Sequence, residues 1–519
     1  MIPSVDSTFL VGAVLPISLV IITIARRFIV SRQHGPLPPG PVPLPLLGNI
    51  LSIDTGEPWL TYTKWRATYG DLIYVQILDQ GMIVINSPQV AENLLEKRSR
   101  IYSDRPYLAT MEPYGWSFSF GFLGYNDEWR LRRRLFHQTF RSESALKFRP
   151  IQIRQARQLS ANIIDDPEHY HSHFSTFTTS TMMSAVYGYE SSARDDSLVQ
   201  LVENAVHLGI SVLTPERAAM VKAFPLLLKI PDWCWGSSIK REAQASTDRF
   251  KDMRDLPFQY VQKHMADSSF PGQSSMVAEN LRRIEEQDSD ETLKPMLQAA
   301  VKDTAAAAIA AAYESSTSTL MVFVLAMVLY PDVQTRAQAE IDTLIGRDRL
   351  PTFDDRESLP YVDALVRETL RWNPTAPLGF PRATSSDDTY DGYFIPKGTT
   401  VMTNMWAITQ DETRYPDASR FMPERFIDSD GALTDDDPKQ YIFGRGRRIC
   451  PGRYSADFSL WSAIVTMLAT VDISYAKDGQ GKAISFTPKF TTGFSHTPLI
   501  FPCSILPRSH FHSEHLHVD

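Results

Sequence analysis

Ten residues near the C-terminal end constrain this chain more than any others: Phe443-Gly444-Arg445-Gly446-Arg447-Arg448-Ile449-Cys450-Pro451-Gly452. One cysteine sits among three glycines and three arginines. Glycine reaches backbone conformations closed to other residues, so this segment can form a tight loop that brings peptide N–H groups close to a sulfur. Only three cysteines occur in 519 residues, Cys234, Cys450 and Cys503, and none lies in a Cys-x-x-Cys pair. That usage argues against a disulfide framework or a zinc knuckle and fits a reducing compartment. Taken alone, Cys450 is either a ligand held by its loop or a buried cysteine on a Gly/Arg-rich turn.

The rest of the chain reads as a globular body behind an apolar leader. Charged residues are 22% and hydrophobic ones 43%, and the formal net charge of −8 argues against nucleic-acid binding by bulk charge. Phe9 to Ala25 is almost uninterruptedly apolar, with Asp6 before it and Arg26, Arg27 and Arg32 after it. With its flanks such a helix reaches about 30 Å, one bilayer core. A cleaved signal peptide would carry its positive charges first, so residues 1–33 are expected to form a membrane anchor with the body on the cytosolic side. Residues 34–45 hold the proline run Gly35–Pro43, a stiff hinge that can be neither helix nor strand interior. The body is expected over 46–507. A tail, 508–519, with His510, His512, His515 and His517 is expected to be disordered. Leu72–Ile77 and Met82–Ile85 read as a hairpin around Asp79-Gln80-Gly81. Helical periodicity then dominates, as at Trp129–Phe140, Leu297–Tyr330, Val333–Leu344 and Tyr361–Trp372, with short β signals at Tyr393–Ile395 and Thr399–Met402 around Pro396-Lys397-Gly398.

Several segments carry placed charge or hydroxyls. Glu368 and Arg371 are three apart on a helix and share a face, and Pro423-Glu424-Arg425-Phe426 follows downstream. Trp129-Arg130-Leu131-Arg132-Arg133 by itself reads as a basic amphipathic helix. Ala305–Ala312 is nearly all alanine, the best helix former, and runs into Tyr313-Glu314-Ser315-Ser316-Thr317. An acid beside a hydroxyl can pass protons. Tyr114, Trp116, Phe118, Phe120 and Phe122 alternate between Tyr107 and Tyr125 and suit either a pocket wall or a core.

The cysteine segment resembles the ligand loop F-x-x-G-x-R-x-C-x-G of the cytochrome P-450 superfamily, the haem-thiolate monooxygenases. Phe443, Gly446, Arg448, Cys450 and Gly452 fill its fixed positions, and the other family motifs occur in order. The resemblance covers about residues 36–506 and is nearest to fungal microsomal members of secondary metabolism similar to O-methylsterigmatocystin oxidoreductase. It implies a mainly α fold, the triangular prism with a small β-rich lobe and haem between them, preceded by an N-terminal transmembrane helix in the endoplasmic reticulum membrane. It implies haem b with Cys450 as axial thiolate, a ligand that pushes electron density toward bound dioxygen and favours O–O cleavage. Arg448, Arg382, Trp129 and Arg133 would contact the propionates, and Glu368, Arg371 and Arg425 would form a structural triad. Glu314 and Ser315 match the acid–hydroxyl pair of proton delivery, but Ala312 replaces a usual Gly, Tyr313 a small residue and Ser315 a Thr. Because the alanine run fixes register poorly, Ser316 is the competing hydroxyl.

The same resemblance implies electrons from NADPH through an NADPH–cytochrome P-450 reductase, an acidic flavoprotein that a patch of Arg130, Arg132, Arg134, Arg445 and Arg447 would suit. The substrate would be an apolar small molecule, such as a terpenoid, polyketide or indole intermediate. The loop Tyr107–Tyr125 would roof its pocket, and Thr375–Phe380 and Thr492–His496 would wall it. An isomerase or dehydratase that uses no dioxygen, and a non-catalytic haem-binding protein, are the rival readings.

Overall fold

The computed structural model describes residues 35–509 except 235, 268, 287–290 and 494. The expected anchor over 1–33 and the histidines from His510 onward lie outside the described residues. The chain divides into two compact units. The first draws on residues up to Pro106, on Ala376–Asp411 and on Gly444–Ile449; the second holds Tyr107–Thr375, Glu412–Phe443 and Cys450 onward.

The first unit is built on a small sheet. Helix α1 (Pro58–Tyr69) precedes β1 (Leu72–Ile77) and β2 (Gln80–Ile85); β3 (Arg382–Ala383), β4 (Asp388–Tyr390), β5 (Tyr393–Ile395) and β6 (Thr400–Thr403) come later in the chain. The order β1-β2-β6-β3 sets β2 parallel to β6 and the other pairs antiparallel. Ile73, Val75 and Val84 pack with Tyr62 of α1, while Ile83, Ile85 and Val401 pack with Leu94 and Tyr102. Burial on both faces explains why Met82–Ile85 is a continuous apolar run rather than an alternating one.

The hairpin turn corrects the sequence reading. It falls at Leu78-Asp79, with Leu78 at φ 53°, and Gln80 and Gly81 belong to β2, opposite Ile77 and Gln76. Gly81 is therefore not a turn glycine: a Cβ there would lie 2.6 Å from the Tyr74 hydroxyl. The two late β segments also separate, β5 pairing with β4 and β6 with β2. The proline run is laid against these strands. Phe394 N donates to Pro36 O (2.7 Å), Tyr74 N donates to Pro39 O (2.9 Å), and a Cβ on Gly40 would strike Tyr74 O at 1.9 Å.

The second unit is mainly helical: α2 (Asp127–Phe140), α3 (Arg149–Asp165), α4 (Tyr170–Tyr187), α5 (Ser197–Ser211), α6 (Ser238–His264), α7 (Lys294–Leu329), α8 (Pro331–Leu344), α9 (Pro360–Trp372) and α10 (Arg453–Thr470), with a β-ribbon of β7 (Val471–Tyr475) and β8 (Cys503–Pro507). Apolar periodicity placed α2, α7, α8 and α9 but started them late. The Asn126 side chain caps α2 by accepting from Trp129 N, and α8 and α9 begin on prolines, whose missing N–H costs nothing at a first helical position. Helix α7 is long and apolar enough to cross a membrane, yet most of its residues are buried, packed along α4 and, through Leu320, Phe323 and Val324, in one cluster with Trp461 of α10 and Ile163 of α3. The alternating aromatics are mostly core. Tyr114, Trp116, Phe118 and Phe120 are buried, Trp116 and Phe118 meet Phe250 of α6, and Trp116 Nε1 donates to Gly209 O (3.2 Å). Arg508, read as the first residue of the tail, is buried and doubly bonded to Asp342 at 2.9 and 2.8 Å.

At the centre of this unit Glu368 and Arg371 are both fully buried. Arg371 Nε and Nη2 donate to the two Glu368 oxygens at 2.6 and 2.8 Å. Glu368 Oε1 also accepts from Arg425 Nε (3.2 Å) and Met422 N (2.8 Å). Arg371 Nη2 also donates to Ala418 O (2.8 Å) and Arg420 O (3.4 Å). A buried carboxylate between two guanidinium groups is tolerable because every partner is in place; removal of one strands charge in a dry interior. Glu368→Ala is expected to destabilise the protein by roughly 3–5 kcal/mol. Urea unfolding of the variant against the parent checks this, and a loss below 1 kcal/mol would contradict the structural role.

Candidate functional site

The cysteine loop is closed by its own backbone. Gly444 and Gly446 take left-handed φ values of 75° and 61°, and a Cβ on Gly446 would fall 2.0 Å from Leu95 O. No other residue fits there. Gly452, also read as a turn glycine, has φ −89° and only ordinary contacts around a Cβ, so it needs no special conformation. Cys450 N donates to Phe443 O (2.8 Å), which folds the loop back and leaves Cys450 two residues ahead of Gly452, the N-cap of α10. There the sulfur accepts from the backbone N–H groups of Gly452 and Arg453. Burial pushes the thiol up, while these two N–H groups and the charges of Arg133 and Arg453 oppose that shift. The end of a helix that carries free N–H groups and a partial positive charge is where a thiolate is least costly.

Helix α2 sends Arg133 to the same sulfur. Burial lowers the Arg133 guanidinium to about 10, Cys450 counters that shift and Arg453 adds to it. Trp129, four residues earlier, is on the same side of α2, its ring 6.0 Å from the Arg133 guanidinium. Arg132 points the other way. It is buried and ion-paired to Glu128 (2.5 Å) and Asp303 (2.9 Å), so it is not part of the expected basic surface. Arg130 is paired to Asp127 and Arg445 to Glu96, while Arg134 is exposed.

In the first unit a second set of guanidinium groups gathers. Arg382 on β3 is buried, donates through Nη2 to Arg445 O (2.7 Å) and leaves Nη1 with no hydrogen-bond partner. Burial lowers it to about 10. Arg448 is buried and donates from Nε to Ser103 O (2.7 Å). Arg105 joins them, donating to Phe380 O and Pro381 O. Its charge is disfavoured first by burial and then by Arg448 and Arg382, with Asp104 the opposing carboxylate. Arg105 carried no motif in the sequence; the backbone bridge between Asp104 and Ala383 is what brings it beside Arg382. Like charges gathered in a desolvated place with an unsatisfied donor fit an anionic, carboxylate-bearing ligand.

Helix α7 carries the expected acid and hydroxyl. Ala305–Ala310 is buried, whereas Ala311 and Ser315 are exposed on one side of the helix and Ser316 is buried at 6% exposure. Exposure thus separates the two candidate hydroxyls that the alanine run left ambiguous. Ser315 Oγ donates back to Ala311 O (2.8 Å) and keeps its lone pairs as acceptors. Glu314 Oε1 accepts from Ser495 Oγ at 2.6 Å, with Thr497 Oγ1 at 3.5 Å. The imidazole of His171 on α4 is held below its usual range by burial, against the charge of Glu314. Ser495 and Thr497 were missed as polar partners because nothing local in Gly493–Pro498 marks them; contact across 181 residues does.

Residues 38–500 match the family model described as Cytochrome P-450. The chain is similar to "Cytochrome P-450 monooxygenase 208" of Postia placenta, 37% identical over 96% of each chain. It is also similar to "Cytochrome P-450 monooxygenase COX2" of Coprinopsis cinerea, 37% identical over 93% of this chain and 91% of that one. A third relative is "Cytochrome P-450 monooxygenase claR" of Ampulloclitocybe clavipes, 35% identical over 95% and 90%.

The segment that holds Glu314 carries a pH prediction. Burial lowers His496 to about 4, below its ordinary value of 6.5. The unfolded chain therefore binds a proton first as pH falls, so stability is intact above about pH 6.5 and is lost toward pH 4, by at most about 3 kcal/mol. Thermal melts across that range should fall more steeply for the parent than for His496→Gln; parallel curves would contradict the buried neutral imidazole.

Proposed function

The chain belongs to the cytochrome P-450 family of haem-thiolate monooxygenases, and we propose that it oxidises an apolar small molecule of fungal secondary metabolism with Cys450 as the axial ligand. The observation that carries this reading is the Cys450 sulfur, held by two backbone N–H groups ahead of α10 in the only family-type loop of the sequence. Bound haem supplies the activation of dioxygen, one atom of which enters a C–H bond while the other leaves as water with two electrons and two protons.

The chain's own residues prepare that chemistry. The N–H groups of Gly452 and Arg453 and the charge of Arg133 favour the thiolate over the thiol, which is the form that ligates iron. Phe443 closes the loop through its carbonyl, Gly446 permits the close approach to Leu95, and Arg448 is anchored by Ser103. Within the first unit Arg382, Arg448 and Arg105 supply donors suited to a propionate carboxylate, and the family resemblance gives Trp129 and Arg133 of the second unit the same role. Arg382 Nη1 is the clearest of these, since a buried guanidinium N–H without an acceptor is costly. Glu314 and Ser315 sit next to each other on α7, the acid anchored and the hydroxyl exposed, and would pass protons to the oxygen that leaves. Ser315 lacks the methyl that would limit the rotamers of a threonine.

Electrons would come from NADPH through a P-450 reductase. The apolar run Phe9–Ala25 supports attachment to the endoplasmic reticulum membrane. The names of the fungal relatives support the class of reaction and leave the substrate to be found by metabolite profiling.

Two results test this reading. Cys450→Ser is expected to abolish the carbon monoxide difference band that gives the family its name; a retained band would remove Cys450 from the iron. Ser315→Ala is expected to keep haem content while peroxide formed per NADPH consumed rises several-fold, and Ser316→Ala is expected to change neither. The reverse pattern would move the relay to Ser316.

A further inference from the structure

Glu314 is the acid of the proposed proton pair, yet among the described residues its hydrogen bonds come from hydroxyls far along the chain and from no arginine or lysine. Ser495 Oγ donates to Glu314 Oε1 at 2.6 Å, and Thr497 Oγ1 stands at 3.5 Å from the same oxygen. Ser495 and Thr497 are buried at 9% and 8% exposure, so the bond is shielded from water on their side.

The segment that carries them is fixed at several points. Thr491 Oγ1 donates to Ser495 O (2.9 Å) and accepts from Thr497 N (2.9 Å). His496 N donates to Thr375 O (2.8 Å), and Asn373 Nδ2 donates to His496 O (3.2 Å). The His496 ring stacks on Phe490 at 4.4 Å, and Phe490 bridges Pro498. Thr375 also meets Thr319 of α7 at 3.3 Å, and Thr319 Oγ1 donates to the carbonyl of Ser315, one turn earlier (2.9 Å). The Ser495 hydroxyl is therefore presented to α7 by a braced frame and does not reach it from a free loop.

A glutamate on a helix has three side-chain torsions, and a carboxylate that must pass protons at one place gains from having them fixed. A hydroxyl suits this task in a way that a guanidinium does not. It donates to the carboxylate when the acid is ionised and can turn to accept when the acid carries a proton, so it holds the group in both states without fixing its charge. We propose that Ser495 is a positioning residue for oxygen activation: through its hydrogen bond to Glu314 it fixes the carboxyl of the proton pair, and its bonds to Thr491 and those of His496 to Thr375 and Asn373 are the frame that carries it. This rests on the reading of Glu314 and Ser315 as the proton pair. No electron or heavy-atom bond changes at Ser495; it moves only the direction of its own O–H.

The test uses the membrane-bound holoenzyme with P-450 reductase, NADPH and dioxygen, and needs no substrate, because peroxide released per NADPH consumed reports how often both protons reach the departing oxygen. Ser495→Ala is expected to raise that ratio several-fold at unchanged haem content, and Ser495→Thr to restore it. In a Glu314→Gln background, Ser495→Ala is expected to add nothing further. A second readout is independent of turnover. The carboxylate stretch of Glu314, isolated as the infrared difference between the parent and Glu314→Gln, should shift in Ser495→Ala and return in Ser495→Thr. If Glu314→Gln raises the ratio but Ser495→Ala does not, or if the two changes add in full, Ser495 has no such role and the proton pair stands. If Glu314→Gln leaves the ratio unchanged, the proton pair falls and the role of Ser495 falls with it. An infrared band that does not move in Ser495→Ala also overturns the proposal.

Discussion

The carboxylate of Glu368 is the constraint on which the second unit depends. It is fully buried, and an ion in a dry interior survives only if all its lone pairs are engaged. Arg371 and Arg425 supply charge, and Met422 N supplies a third donor. Arg371 Nη2 and the two Nη groups of Arg425 also donate to carbonyls between Pro416 and Arg420. One helix turn of α9 thereby orders a stretch of irregular chain that has no strand or helix of its own to hold it. That stretch leads, within the same unit, to Tyr415 and Tyr441, whose hydroxyls meet at 2.8 Å two residues before Phe443. The cysteine loop thus begins from a fixed point, and its closure by the Phe443 carbonyl has a firm base.

Electrostatics divide the arginines into two kinds. Arg356, paired with Asp363 and Asp457, and Arg132, paired with Asp303, have their charges answered inside the protein. Arg133, Arg382 and Arg105 are pushed toward neutrality by burial. In sequence all of these are ordinary arginines. Their difference is a matter of which carboxylates the fold sets beside them, and the second kind is the one that suits an anionic ligand.

In the proposed acid–hydroxyl pair the hydroxyl and the acid are held differently. Serine in place of threonine loosens the hydroxyl at 315, while the acid beside it is tied by Ser495 to a frame braced on Thr375 and Asn373. Tyr313, in place of a small residue, turns its ring into the core and away from the exposed side of α7, so its bulk does not fill the space beside Ala311 and Ser315.

What the sequence determined by itself is whatever local physics can write into a short stretch. Helical periodicity marked α2, α7, α8 and α9. The glycines at 444 and 446 are required by left-handed φ values that other residues resist, and the spacing of Glu368 and Arg371 sets them on one helix face. The tertiary structure decided everything that rests on distant partners. Which of Ser315 and Ser316 is exposed came from how α7 packs. The hairpin turn at Leu78-Asp79 came with the pairing of Gln80 and Gly81 opposite Ile77 and Gln76, and the core role of Trp116 and Phe118 came from Phe250 on another helix. Arg105 beside Arg382, and Ser495 against Glu314, follow from contacts across more than 180 residues. No local propensity encodes such contacts, because their energy exists only once the chain has closed around them.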